Sequence, residues 1–146
     1  MKVRKVNRYT CDFCKKSNCS GGAISKHQKF CTMNPDRGCR MCKHPVKPLS
    51  LISLLPDSKQ FLKVGEEYDS GEHYEGWKDT YKEPLENIKK ECNYCPACIL
   101  AVLRQSKVPL YMLDFDYKKE VEEWWKEKNK IEWKKEVVID KDSFRY

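Results

Sequence analysis

Cys11, Cys14, His27 and Cys31 carry donor atoms at a spacing that builds a metal site. Two cysteines separated by two residues form a knuckle whose thiolates converge on one ion. A histidine and a cysteine four positions apart on a helix point the same way and complete a tetrahedron, a donor set suited to zinc. A second set follows. Cys39-Arg40-Met41-Cys42 is another knuckle, and far downstream comes Cys92-Asn93-Tyr94-Cys95-Pro96-Ala97-Cys98. Pro96 fits the first position of a helix with Cys95 as its cap, which places Cys98 in the first turn on the side of Cys95. The preferred second ligand set is Cys39, Cys42, Cys95 and Cys98, and Cys92 or His44 can stand in for one of them. Cys19 lies outside both spacings as a spare thiol. Each set fills four positions, the pattern of a structural ion rather than of a catalytic one with an open position. Two zinc ions are therefore expected.

The elements that must position these ligands are short. Residues 1–8 form a basic arm. Ser20-Gly21-Gly22 marks a turn before a helix over about 23–31, with Ser20 or a neighbouring small residue as its cap. Asn34-Pro35 ends this unit, and Gly38 permits a tight turn into the second knuckle. Apolar residues at 49, 51, 52, 54 and 55 form a helical pattern stopped by Pro56. Residues 65–76 hold three glycines among five acidic residues and are expected as a solvated loop containing His73. Pro84 is expected to start a helix over 85–90 that delivers the chain to Cys92. After a break at Ser106–Pro109, Asp114 or Asp116 caps a helix running to about Asn129. On it Tyr117, Val121, Trp124 and Lys128 share one face with Trp125 beside it, and the tryptophans are expected to cover a small core against the Cys95 helix. The tail 131–146, with Val137-Val138-Ile139, is expected to add an edge strand. The domains expected are 1–34, 36–130 and the tail 131–146.

Over residues 8–34 the first spacing resembles the C2H2 zinc finger, as a C2HC variant with the last histidine replaced by cysteine. Tyr9, two before the first cysteine, and Ile24, three before the histidine, stand where that family places an aromatic and a buried aliphatic. Asn18 departs from the pattern, because the family usually buries a phenylalanine there. The resemblance implies a ββα fold. A knuckle joined to two cysteines at a helix start resembles the treble-clef arrangement. The expected fold class is thus small, metal-stapled and mainly α, a ββα finger followed by a helical treble-clef-like zinc domain. The phrases Cys-Pro-Ala-Cys-Ile-Leu-Ala-Val-Leu-Arg-Gln (95–105) and Asp-Phe-Asp-Tyr-Lys-Lys (114–119) resemble small bacteriophage proteins without an assigned activity. That resemblance implies host cytoplasm and an accessory role.

Composition narrows the function classes. With 35% charged and 40% hydrophobic residues in a chain of 146, the core is modest and metal stapling matters. No apolar run approaches the ~20 residues of a membrane span, and no apolar stretch follows the basic N-terminus as a secretory signal requires. Nine cysteines, an odd number mostly in paired knuckles, suit metal binding in a reducing compartment, hence the cytoplasm. No phosphate-binding glycine loop, nucleophile elbow or acid–base constellation is present, so no enzymatic activity is expected.

The formal charge of +7 is uneven: residues 1–48 carry twelve basic against two acidic side chains, and the rest carries seventeen against twenty. Metal-bound thiolates discount part of that excess, yet the N-terminal part stays basic. Arg4, Lys5, Arg8, Lys15, Lys16, Lys26 and Lys29 are the expected phosphate contacts of a DNA- or RNA-binding module. By the finger resemblance the base-facing positions fall on Ser20, Gly22 or Ala23, and Lys26. Only Lys26 can make a strong base-edge contact, so sequence preference should be weak. The alternative is a protein-interaction adaptor in which zinc only holds shape and the Trp124–Trp125 helix meets the partner.

Overall fold

The computed structural model describes residues 5–43, 46–56 and 73–142. Arg4, His44, the acidic stretch 65–72 and the end of the tail lie outside them. The chain divides into two compact units, 1–114 and 115–146.

The first unit opens with a minimal hairpin. β1 (Tyr9–Thr10) pairs antiparallel with β2 (Ser17–Asn18), Tyr9 opposite Asn18 and Thr10 opposite Ser17. Cys11 N–H donates to Lys16 O at 2.8 Å and Lys15 N–H to Cys11 O at 3.0 Å, which closes the knuckle. Closing it places Lys15 at φ 62°, a left-handed conformation uncommon for a side-chain-bearing residue. Asn18 accepts from Ser20 N–H, and Ser20 Oγ accepts from Ala23 N–H at 3.3 Å to cap α1 (Gly21–Phe30). The glycine pair expected as a turn is thus the first two residues of the helix. Gly21 lies close to Tyr9, and a Cβ there, 3.3 Å from that ring, would make the ring shift by a few tenths of an ångström. Asn18, the position that departs from the expected finger pattern, shapes this entry turn. The finger core shrinks to Cys11, Ile24 and Cys31 with Met33 packed against them.

The chain then folds back on α1. Gly38 N–H donates to Lys29 O at 2.8 Å, and a Cβ at Gly38 would meet the Phe30 ring at 3.3 Å. Gly38 was expected for a tight turn, but no glycine described has a positive φ. Its requirement is space against Phe30. α2 (Pro48–Ile52) is one short helix with proline at its start, shorter than the apolar run through Leu55 suggested. It packs on α4 (Pro96–Gln105), the apolar centre of the unit. Six consecutive residues of α4, Cys98 through Leu103, are buried, as befits a helix surrounded by protein.

α3 (His73–Glu91) packs on α4 and on a 3-10 turn at Leu110–Met112. It buries Tyr81, Leu85 and Ile88, spaced three and four apart on one face. Two expectations fail here. Pro84 lies inside this helix rather than at its start, and His73 opens the helix rather than sitting in a loop. A proline costs one helical hydrogen bond, which that buried face offsets. Between α3 and α4, Asn93 (φ 49°) and Tyr94 (φ 54°) both adopt the left-handed region, with Tyr94 N–H reaching back to Lys89 O at 2.8 Å. This reversal costs on the order of 1–2 kcal/mol per residue and swings Cys95 to the start of α4.

The second unit is dominated by α5 (Tyr117–Asp142). Asp116 Oδ1 accepts from Lys118 N–H at 3.0 Å, the expected cap. Residues 137–139, expected as an edge strand, are helical. Extending a formed helix costs far less than nucleating a new element, and the only sheet among the described residues is the two-residue hairpin. No described helix is long and apolar enough to cross a membrane.

Candidate metal centres

The finger centre is assembled by the knuckle and α1. Cys11 and Cys14 come from the hairpin turn, while His27 and Cys31 come from the last turn of α1 and its C-cap. Their four ligand atoms all lie within 4.8 Å of one another, with Cys14 Sγ 3.1 Å from His27 Nε2. Gln28 donates to Asp12 Oδ2 at 2.6 Å, binding the helix to the knuckle beside the ligands. Cys11 and Cys31 are buried, His27 is half-buried and Cys14 is exposed.

The four-cysteine centre uses the second knuckle and the start of α4. Cys39 Sγ lies 3.7 Å from Cys95 Sγ, and Cys42 Sγ lies 3.4 Å from Cys98 Sγ, with all four sulfurs within 4.8 Å. A tetrahedral ion with metal–sulfur bonds of about 2.3 Å has sulfur–sulfur edges of about 3.8 Å, close to these values. A disulfide needs about 2.05 Å, and the cysteines are free thiols. The knuckle is set by Cys42 N–H pointing at Cys39 Sγ at 3.5 Å.

Thiol acidity shows why both pockets suit a cation. Hydrogen bonding from the Cys95 thiol, with help from Cys42, the Val46 N–H and Cys39, outweighs burial and draws Cys98 down to about 5. Its position in the first turn of α4 acts the same way. Cys95 is pushed up by that bond to Cys98 and by burial, and Cys42 is pushed up to about 11, chiefly by burial. In the finger, burial pushes Cys31 up to about 11. Burial also opposes ionisation of Cys11, but the N–H groups of Cys14 and Phe13 and the neighbouring thiols more than offset it and lower the net value. Burial and neighbouring thiols thus make both pockets resist the build-up of negative charge. A bound dication removes that resistance, since thiols bind metals as thiolates.

The eight residues expected as ligands are thus brought together in two groups. Cys92 is buried near the four-cysteine group but is not part of it, and Cys19 is exposed and in neither group. Lys5, Arg8, Lys15, Lys16, Lys26 and Lys29 are all exposed on the finger and its arm. Lys15 Nζ also donates to Asp12 O at 3.0 Å. In the second unit Trp124 and Trp125 meet edge-to-face with centroids 4.9 Å apart, and Lys128 Nζ lies 3.9 Å over the Trp124 ring. One residue near the centres escaped the sequence analysis: Arg37, buried with Nη1 3.8 Å from Cys98 Sγ. No spacing rule marks an arginine two residues before a knuckle, and its partner is 61 positions away.

No protein-family model matches the chain, and no curated protein or solved structure matches it either. The two groups of ligand atoms are the observation on which a function can be built.

Proposed function

We propose that the protein holds two structural zinc ions, in a C2HC finger and a treble-clef-like four-cysteine centre, and serves as a nucleic-acid-binding accessory module with weak sequence preference. The carrying observation is the pair of four-donor groups, each with its ligand atoms within 4.8 Å of one another. Thiolate-rich tetrahedral donors suit zinc, and a full donor set leaves no position for substrate, so the ions hold shape and no catalysis is assigned. Free thiols in this arrangement suit a reducing compartment such as the cytoplasm.

The nucleic-acid role is supported by six exposed cations on the small finger and its arm. By the resemblance to DNA-reading fingers, Ser20, Gly22 or Ala23, and Lys26 would face bases; α1 begins at Gly21, beside them. Ser20 Oγ is engaged in capping. Lys26 alone can make a strong base contact, so affinity should come from phosphates.

The test is fluorescence anisotropy of labelled single- and double-stranded oligonucleotides with zinc-loaded protein at several salt concentrations. Phosphate binding gives a linear fall on log–log axes, with about 0.9 units of slope per phosphate contact on duplex. Charge reversal at Lys15, Lys16 and Lys26 should remove most of the affinity. No binding at low salt would overturn the nucleic-acid role. Trp125, 49% exposed, favours a protein-interaction adaptor as the second reading. Partner capture that survives the charge reversal would select it.

A further inference from the structure

Arg37 is a buried cation with no carboxylate partner among the described residues. It is 6% exposed, the one charged side chain buried among the described residues. Nη1 donates toward Cys98 Sγ at 3.8 Å, Nε has no hydrogen-bond partner, and the ion pairs described lie elsewhere. A guanidinium does not give up its proton in a protein, so burial cannot be relieved by neutralisation. Charged side chains are almost never buried unless paired. Among the described residues the side-chain partner of this guanidinium is the Cys98 sulfur.

We propose that Arg37 is the built-in counter-charge of the four-cysteine centre, its guanidinium set against the Cys98 sulfur when a divalent ion is bound. The inference rests on the metal-binding role proposed above. As four sulfur–metal bonds form, the protons still held by the thiols leave to solvent, and a divalent ion with four thiolates carries two net negative charges. Arg37 offsets one of them from inside the protein, where water cannot.

The position of Arg37 supports this. It lies between the finger and the knuckle, held on one side by Gly38 N–H on Lys29 O. Cys92 contributes no ligand atom to the group, so the direct contact to Cys98 is what links Arg37 to the metal centre. Arg37 is a positioning residue, acting on the ion through a ligand.

The experiment compares the full chain with Arg37→Met and Arg37→Lys, each loaded with cobalt(II) and then titrated with zinc. Ligand-field bands separate a four-thiolate site from a three-thiolate one, so each centre is followed by itself. Arg37→Met should weaken the four-cysteine centre by about 10–100-fold, the usual effect of losing a partner of a metal ligand, and leave the finger centre unchanged. Its sulfur-to-cobalt charge-transfer band should move to lower energy, because an N–H donor on a thiolate lowers the energy of the sulfur electrons. Arg37→Lys should recover most of the affinity.

Unchanged affinity and band position in Arg37→Met would overturn the proposal, as would Arg37→Lys as weak as Arg37→Met, which would point to packing. Should Arg37→Met not fold, wild-type protein loaded with NMR-active cadmium decides. A proton–cadmium correlation from the guanidinium supports the counter-charge, and its absence overturns it. Wild-type protein that takes up no cobalt at a four-thiolate site would remove the metal-binding role itself, a result distinct from a variant effect in a loaded protein.

Discussion

Cys92 and Cys98 are both buried, six residues apart, and their sulfurs go to different places. Cys98 Sγ faces Cys42 Sγ at 3.4 Å, whereas Cys92 stays outside the ligand group. Cys98→Ser should therefore lose one of two bound ions and Cys92→Ala neither, as native mass spectrometry of zinc-loaded protein would show. Cys92 also has a pH signature. Burial, then the charges of Cys98 and Cys42, push its thiol from an ordinary 9.0 up to about 12. The fold prefers the protonated form, so its contribution is complete below about pH 9 and is lost as pH rises toward 12. Metal-free wild-type protein should lose urea resistance faster above pH 9 than Cys92→Ala, and parallel loss in the two would contradict this assignment. At this scale the sequence was most informative about ligands, because coordination geometry imposes fixed spacings on Cys11, Cys14, His27 and Cys31. Arg37 was invisible because its role arises from a contact made only in the folded chain.

Elements depart from the sequence pattern where tertiary context outweighs local preference. Pro84 suggested a boundary, yet α3 runs through it because Tyr81, Leu85 and Ile88 pack as one face. The β-branched run at 137–139 suggested a strand, yet it continues α5, where Glu122 and Lys126 stand four apart and Glu127 and Lys130 three apart. Asp116 caps that helix through Lys118 N–H and Lys119 N–H. Asp116→Ala should cost about 1 kcal/mol and speed hydrogen exchange at 117–120, leaving exchange in α4 unchanged. The end of the finger is secured by α4, a connection no sequence rule reveals. Gln105 Nε2 donates to Thr32 O at 2.8 Å and Asn34 O at 3.0 Å, and Arg104 Nη1 donates to Thr32 Oγ1 at 3.0 Å. Gln105→Ala leaves two backbone carbonyls without this donor, at roughly 1–3 kcal/mol if they stay buried. Faster exchange over 31–38 in zinc-loaded protein would show the loosened junction.

At the scale of the molecule the question is what holds the first unit together when the ions leave. The finger has three buried core residues, two of them ligands, so Ile24 is its one buried aliphatic. Structural zinc contributes about 10–16 kcal/mol apparent in finger peptides, far more than one such side chain at about 1.5–3 kcal/mol. The helical part differs, since α3, α4 and the 3-10 turn bury a larger apolar set around Tyr81, Ile99, Leu103 and Met112. The two centres also differ in access: Cys14 is exposed and His27 half-buried, whereas Cys95 and Cys98 are buried at the start of α4. A strong chelator should remove the ions in two phases. The fast phase should empty the finger and melt α1, seen as a partial loss of helical circular dichroism with one equivalent of zinc released to a chromophoric dye. The slow phase should release the second equivalent and loosen α2 from α4 while α3 and α4 keep much of their helicity. Release of both ions in one phase with complete unfolding would show that the Gln105 junction couples the centres more strongly than their different exposure separates them.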